Sequence, residues 1–421
     1  MKHSVLSQLG QRTAAPPISW LMEMALGRPN LISLAAGFTD NPSLPLAEAR
    51  KLLADLLASR QTGETALQYG PTLGDPELRQ LTAAHLQKQD PAAGRDAFPA
   101  RNILITNGSQ QLLYMITEAL CDPGDIVLVE DPTYFVYLSI AQSHGLRCRG
   151  VRLLEDGLDL EQLERTLNEL KRTGELRRVK ILYLVSYFQN PSGVTTSFAK
   201  KAAALALLRR YERAAGHPIY LVEDAAYREL RFGREDVPSA RAVPGSDERV
   251  IYTGTYSKPF ATGVRAGFGW LPEPVFTIVS RIKGNHDFGT ASLIQQLLAR
   301  ALRTGAYERH LPVLQARYAR KARAMTEAIK EHFPPNVRWE KPRGGLYVWA
   351  RLPVAMKTGA KSKVFQATLA KNVLYVPGEL CYADDPSRRK PNHEMRLSFG
   401  NASEANIREG IARLGKVLRG L

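Results

Sequence analysis

The chain has 421 residues, 44% of them apolar and 23% charged, a balance that lets a soluble chain bury a sizeable core. No apolar run approaches the roughly 18 residues of a membrane span, so no membrane partner is expected. The net charge is +16, a field that attracts phosphates and carboxylates and can hold nucleic acid weakly. Yet the basic residues are spread over helical stretches such as 200–213 and 317–323, without a helix-turn-helix, zinc-finger or RNA-binding signature. Solvated basic faces are the better reading, and no nucleic-acid partner is expected. Cys121, Cys148 and Cys381 are scattered and odd in number, without metal-ligand spacing. They point to a reducing compartment, hence the cytoplasm, and to no metal centre.

In chain order, the first acid is Glu23, after Lys2, His3 and Arg12; this short basic start runs into a helical stretch and reads as fold, not as targeting. Asp75-Pro76 supplies an N-cap and a first helical residue. Strand-like runs follow at 103–106, 125–130, 180–185, 219–223, 250–253 and 266–271, with helical stretches at 109–121, 160–171 and 197–215. Buried β-runs separated by helices predict an α/β fold, a mostly parallel sheet covered on both faces. Between residues 272 and 330 the strand signal gives way to long helices. Two more strands, 346–349 and 395–399, belong to a smaller C-terminal unit, and the tail from Ser403 carries Ile407, Ile411, Leu414 and Val417 at helical spacing. The length suits one large domain with a smaller partner.

The most informative segment is Thr255-Tyr256-Ser257-Lys258-Pro259, running on to Arg265 between two apolar runs. A hydroxyl-rich loop that presents one lysine, with an arginine seven residues later, suits Schiff-base chemistry beside a bound phosphate. Taken alone it is equally a polar surface turn. Other polar groups fall just past strand ends, where ligands of open α/β sheets sit. Gly108-Ser109-Gln110 lies between a strand and a helix, a place for a phosphate. Asn190 follows the strand that ends at Val185, and Asp224 ends another, with Tyr227 three residues on. Tyr134 follows a third. Each has a plainer explanation as a turn, a helix cap or core packing.

Together, Tyr69, Gly108-Ser109-Gln110, Tyr134, Asn190-Pro191, Asp224, Tyr227, Lys258, Arg265 and Arg396 resemble, in order and spacing, the fold type I pyridoxal-phosphate enzymes of the class I/II aminotransferase branch. Asn190 to Asp224 and Asp224 to Lys258 are both 34 residues. The stretches 187–193, 222–230 and 344–349 look closest to the 2-aminoadipate, kynurenine and aromatic aminotransferases. The resemblance runs from about Pro29 to the C-terminus. Regulators that fuse this fold to a DNA-binding domain are relatives too, but the amino terminus here is too short for that domain.

The resemblance implies a large domain over residues 51–295, and a smaller α+β domain built from an N-terminal arm (1–50) and the C-terminal part (296–421). It implies pyridoxal 5'-phosphate as cofactor, carried by Lys258, which then moves protons. Asp224 would face the pyridine nitrogen, Tyr227 and Asn190 the ring's phenolic oxygen, and Tyr134 the ring face. Gly108, Ser109, Gln110, Thr255 or Ser257, and Arg265 would hold the phosphate. Tyr69 would reach the phosphate in a neighbouring subunit, making a homodimer with shared active sites. Arg396 would anchor the substrate carboxylate, with Gly37, Asn190 and Trp20 around the substrate. Thr255 stands where the family usually has serine or a small residue, Thr262 where proline is common, and Pro259 follows the lysine directly. The implied activity is transfer of an amino group from an aromatic or large apolar L-amino acid, or 2-aminoadipate, to a 2-oxo acid such as 2-oxoglutarate. Two alternatives stay open: another reaction of the same cofactor, such as β-elimination, and a cofactor-binding regulatory module.

Overall fold

The computed structural model describes residues 5–94 and 96–421; Lys2 and His3 of the basic start lie outside the described residues. Eight strands form one mixed sheet: β1 (Ile103–Thr106), β2 (Ile126–Asp131), β3 (Arg147–Leu154), β4 (Gly157–Leu158), β5 (Val179–Val185), β6 (Tyr220–Asp224), β7 (Val250–Thr255) and β8 (Gly267–Trp270). Their spatial order is β1-β8-β7-β6-β5-β2-β3-β4. The pairings from β7 through β6, β5 and β2 to β3 are parallel, while β8 runs against both β1 and β7, and β4 against β3. The expected mostly parallel sheet is therefore present, with β8 and β4 reversed.

Alternation along the strands feeds two cores. Ile181, Tyr183 and Val185 join the cluster on one face, with Val127, Val129, Val222 and Ile251. Leu182 and Leu184 turn to the other, with Ile126, Leu128, Leu221 and Val250. A period of two with apolar residues on both faces is the mark of a sheet covered twice. The second face is closed by the helices Leu160–Arg172 and Phe198–Ala215, which supply Leu163, Leu167, Leu205 and Leu208. Asp75, Asp159, Ser197 and Ser403 each accept a first-turn N–H at a helix start, which fixes where those helices begin.

A second, four-stranded antiparallel sheet follows: β9 (Arg338–Trp339), β10 (Tyr347–Arg351), β11 (Val376–Pro377) and β12 (Glu394–Ser398), in the order β9-β10-β12-β11. The N-terminal segment is stitched to this unit. Ile32–Ser33 pairs in parallel with Val373–Leu374, and Ser398 N–H donates to the Leu34 carbonyl at 2.7 Å. Three long helices, Val275–Asp287, Ser292–Arg303 and Ala306–His332, occupy the stretch between the sheets. None of the helices among the described residues is long and apolar enough to cross a membrane.

The register Thr255↔Gly267 makes the loop between β7 and β8 a closed hairpin, with Tyr256 N–H bonded to the Ala266 carbonyl at 3.0 Å. Gly267 is also where the helix Ser109–Leu120 begins to pack on the sheet. A Cβ there would lie 2.3 Å from the Ser109 backbone nitrogen and 2.6 Å from the Gly108 carbonyl carbon. Neither backbone atom can yield without moving the helix start. Gly267→Ala is therefore expected to cost about 1–3 kcal/mol in chemical denaturation, the usual size of overpacking. A midpoint equal to that of the unaltered chain would show that the helix start moves freely.

Candidate active site

The carboxyl ends of β1, β2, β5, β6 and β7 open on one cleft, and the loop into β8 crosses it. Because the hairpin register sets Tyr256 against Ala266, the next residues outward, Ser257 and Arg265, face each other across the neck. Arg265 Nη1 donates to Ser257 Oγ at 3.4 Å. Arg265 adopts left-handed backbone (φ 46°, ψ 42°), a conformation that costs a non-glycine residue about 1–2 kcal/mol and clusters at functional sites. The turn aims its guanidinium over Gly108, where a Cβ would lie 2.8 Å from Arg265 Nη2. Gly108 has φ +79°, caps the helix Ser109–Leu120 and offers no side chain to its first-turn N–H groups. Those donors, the positive end of the helix, Ser257 Oγ and an arginine fork thus surround one small space, which is what a phosphate requires. Gln110, one residue on, is exposed. Thr255 turns inward: its hydroxyl donates to the Ala266 carbonyl at 3.2 Å and accepts Ser257 N–H at 3.0 Å. It braces the hairpin, and Ser257 is the hydroxyl next to Arg265.

Lys258 is half-buried, and its Nζ donates to the Gly37 carbonyl at 2.7 Å. Burial, then the neighbouring charges of Arg265 and Arg396, pull its pKa down to about 8. The amine is thus primed for nucleophilic and proton-transfer work near neutrality.

Asp224 ends β6, buried to 3% exposure. Tyr183 Oη donates to its Oδ2 at 2.8 Å and Ala226 N–H to its Oδ1 at 3.1 Å. Burial outweighs these bonds and raises the carboxyl to about 6, so it gains by meeting a cationic or N–H partner in the cleft. Asn190 Nδ2 donates to Tyr227 Oη at 3.4 Å, and Tyr227 Oη shares a hydrogen bond with Tyr347 Oη at 3.1 Å. Burial holds the Tyr227 phenol well above its ordinary pKa, so it stays a donor. Tyr134 is half-buried, with Asp224, Tyr347, Arg396 and Arg265 as its charged and phenolic neighbours.

Arg396 comes from β12, opposite Trp349 of β10, and is 2% exposed. Its Nη1 donates to Asn190 Oδ1 at 2.7 Å and its Nη2 to the Ala35 carbonyl at 2.6 Å, while its Nε makes no hydrogen bond. The guanidinium carbon stands 4.3 Å from the Tyr347 ring centroid and 5.4 Å from that of Phe135. A buried guanidinium with an unsatisfied Nε is a ready carboxylate receptor. Asn190 thus sits beside it, while Gly37 lies against Tyr347, where a Cβ would stand 2.7 Å from Oη.

Two expected residues are not brought to this cleft within one chain. Tyr69 is 84% exposed, its ring edge-on to Phe288 with centroids 5.3 Å apart. Trp20, in the helix Pro17–Leu26, stacks on Phe365 at 5.8 Å, so its apolar surface is spent against the helix Lys363–Ala370 rather than offered to a ligand. Four contributors went unassigned in the sequence: Tyr183, Tyr347, Phe135 and the Ala35 carbonyl. Tyr183 carries a signal, a phenol inside an apolar strand two residues from its end. The others depend on contacts between distant segments.

The family model "Aminotransferase class I and II" matches residues 29–414. The chain is 34% identical to aromatic-amino-acid aminotransferase 1 of Thermococcus litoralis, over 93% of this chain and 88% of that protein. It is 33% identical to 2-aminoadipate transaminase of Thermus thermophilus, over 94% and 91%. Its fold superposes on the crystal structure of Pyrococcus horikoshii kynurenine aminotransferase in complex with PMP with a TM-score of 0.88, at 32% identity, over 99% of this chain and 97% of that one. The phosphate-shaped space, the depressed lysine and the buried carboxylate all fit pyridoxal phosphate. The chain therefore belongs to the class I and II aminotransferases, pyridoxal-phosphate-dependent enzymes of fold type I.

Proposed function

We propose that this aminotransferase moves the amino group of an aromatic or large apolar L-amino acid to a 2-oxo acid such as 2-oxoglutarate, with Lys258, Asp224 and Tyr227 as its catalytic residues. The observation that carries the reading is the placement of half-buried Lys258 between two arginines of separate duty, Arg265 over the Gly108 loop and Arg396 at the second sheet. Bound pyridoxal phosphate supplies an aldehyde that links to amines and a protonated ring that accepts electrons from a bond broken at the substrate Cα. Asp224, buried at the end of β6, would face the ring nitrogen and keep it protonated. Asn190 Nδ2 and Tyr227 Oη would serve as donors to the ring's phenolic oxygen, and Tyr134 would cover the ring. Gly108, Ser109, Gln110, Ser257 and Arg265 receive the phosphate, with Thr255 bracing them. Arg396 holds the α-carboxylate, which orients the Cα–H bond toward Lys258 Nζ, the base that takes its proton.

The same reading divides the chain near residues 50 and 295 into an arm, a large cofactor-binding part and a smaller C-terminal part. It also makes the enzyme a cytoplasmic homodimer, supported by the exposed Tyr69, with Leu67 (70% exposed) and Leu57 (48%) in the same stretch. Large aromatic and apolar side chains so exposed call for a partner surface.

For specificity, the walls near Arg396 are aromatic: Tyr134, Phe135 and Tyr347. The cations that bear on Lys258 are Arg265 and Arg396. Arg28 is exposed at the surface, and Arg317 is bound to buried Asp40. A distal carboxylate would be desolvated without a cation, which costs several kcal/mol, whereas a ring gains by burial.

Lys258→Ala is expected to lower the transamination rate by about 1000-fold or more, while coenzyme-free protein takes up pyridoxal phosphate faster as pH rises toward 8 and then levels, because the attacking amine is neutral above its pKa. An uptake rate that still climbs about tenfold per pH unit through pH 9 would contradict the depressed lysine, because an amine at its ordinary pKa is still mostly protonated there. Mixing Tyr69→Phe with Lys258→Ala chains gives heterodimers with one intact and one doubly damaged site, and activity above either parent is expected; an active monomer in sedimentation would end the shared-site reading. Last, phenylalanine should exceed 2-aminoadipate by about tenfold or more in kcat/KM. The reverse preference would place an unassigned cation in the pocket.

A further inference from the structure

Behind the Gly108 loop lies a polar clasp that takes no part in the chemistry above. Asn107, the residue before Gly108, donates its Nδ2 to Asp287 Oδ2 at 2.7 Å. Gln111 Nε2 donates to the same oxygen at 2.7 Å, and Gln111 Oε1 accepts Asn107 N–H at 2.8 Å. The three residues close a ring around the helix start that Gly108 leaves without a side-chain cap. Asp287 is itself gripped by Lys283, whose Nζ reaches its two oxygens at 2.7 and 2.8 Å and is fully buried. A bare carboxylate so near a phosphate space would repel the anion; the buried ammonium cancels it, leaving an acceptor that holds Asn107 without opposing the ligand. The next residue, Phe288, has left-handed backbone (φ +58°) and sends its ring edge-on to Tyr69. Gly289 continues the tie, with the Gly70 carbonyl 3.3 Å from where its Cβ would stand.

We propose that Asp287 is a positioning residue for coenzyme binding: neutralised by Lys283, it fixes the Asn107–Gln111 turn that cradles the phosphate, and through Phe288 it joins that turn to the Tyr69 loop. This rests on the reading of the Gly108 loop as the phosphate cradle. Coenzyme capture is thereby set from outside the cleft, by the end of the helix Val275–Asp287.

The test titrates coenzyme-free protein with pyridoxal phosphate and compares Asp287→Asn, Asn107→Ala, their double variant, and Arg265→Ala as a control on the cradle. Each of the first two is expected to raise Kd roughly 10- to 100-fold, the usual size for a hydrogen bond to a charged group, and the double variant no further than the worse single one. Asp287→Asn saturated with coenzyme should keep its kcat within about threefold, and the phosphorus resonance of the bound coenzyme should shift. A Kd within twofold of wild type, additive losses, or an unmoved resonance overturns the proposal. Should Asp287→Asn fail to fold, the apolar pair Lys283→Met with Asp287→Leu replaces it: a raised Kd is expected, and a wild-type Kd overturns the proposal. If Arg265→Ala also leaves Kd unchanged, the cradle reading itself falls; if Arg265→Ala alone weakens binding, Asp287 has no part in it.

Discussion

The antiparallel pairing of Thr255 with Gly267 governs this site. A parallel sheet would send the chain away after β7, and the loop bearing Lys258 would need its own support. Reversing β8 instead returns the chain beside β7, so the loop is a hairpin whose neck is ladder-bonded. Ser257 and Arg265 then meet across that neck, and Lys258 projects beyond it to the Gly37 carbonyl. The same reversal lays Gly267 under the start of the helix Ser109–Leu120, which brings the Gly108 turn beneath Arg265. One register thus sets lysine, serine, arginine and glycine turn together, and Arg265 accepts left-handed backbone to complete the arrangement.

The second constraint is electrostatic. Two guanidinium groups and a part-buried amine share the cleft, and burial first, then the charges of Arg265 and Arg396, lower the lysine. Arg396 reaches the cleft from a different sheet, held by Asn190 of the turn after β5 and by Ala35 of the N-terminal segment. Asp40, five residues beyond Ala35, is locked by Lys321 and Arg317 on the helix Ala306–His332. The segment 35–40 is therefore the seam between the two sheets, touching Arg396 at one end and the long helix at the other. Any shift of the second sheet moves Arg396 relative to Lys258.

Much of this was legible in the sequence because local signals agreed with the fold. The strands of the parallel region read as apolar runs, and Asp75 read as a cap. Lys258, Asp224, Asn190 and Arg265 stood just past strand ends. The strand Arg147–Leu154 escaped because Arg147, Arg149 and Arg152 break its apolar pattern, as suits a strand near the sheet's edge. Trp20 was placed around the substrate by the family resemblance; its stacking on Phe365, more than 340 positions away, is a tertiary fact without a local trace. Tyr347, Ala35 and the Asp287 clasp were hidden for the same reason, since each acts through partners far along the chain.

The central claim is that Lys258 and its neighbours perform a half-transamination on an aromatic amino acid. It is tested most directly by mixing the coenzyme-loaded enzyme with phenylalanine alone, without a 2-oxo acid, and measuring what is released. The account predicts one equivalent of phenylpyruvate per bound coenzyme, then arrest, no ammonia, and resumption when 2-oxoglutarate is added. Continuous release of a 2-oxo acid with ammonia, or no release from any aromatic amino acid, would contradict it.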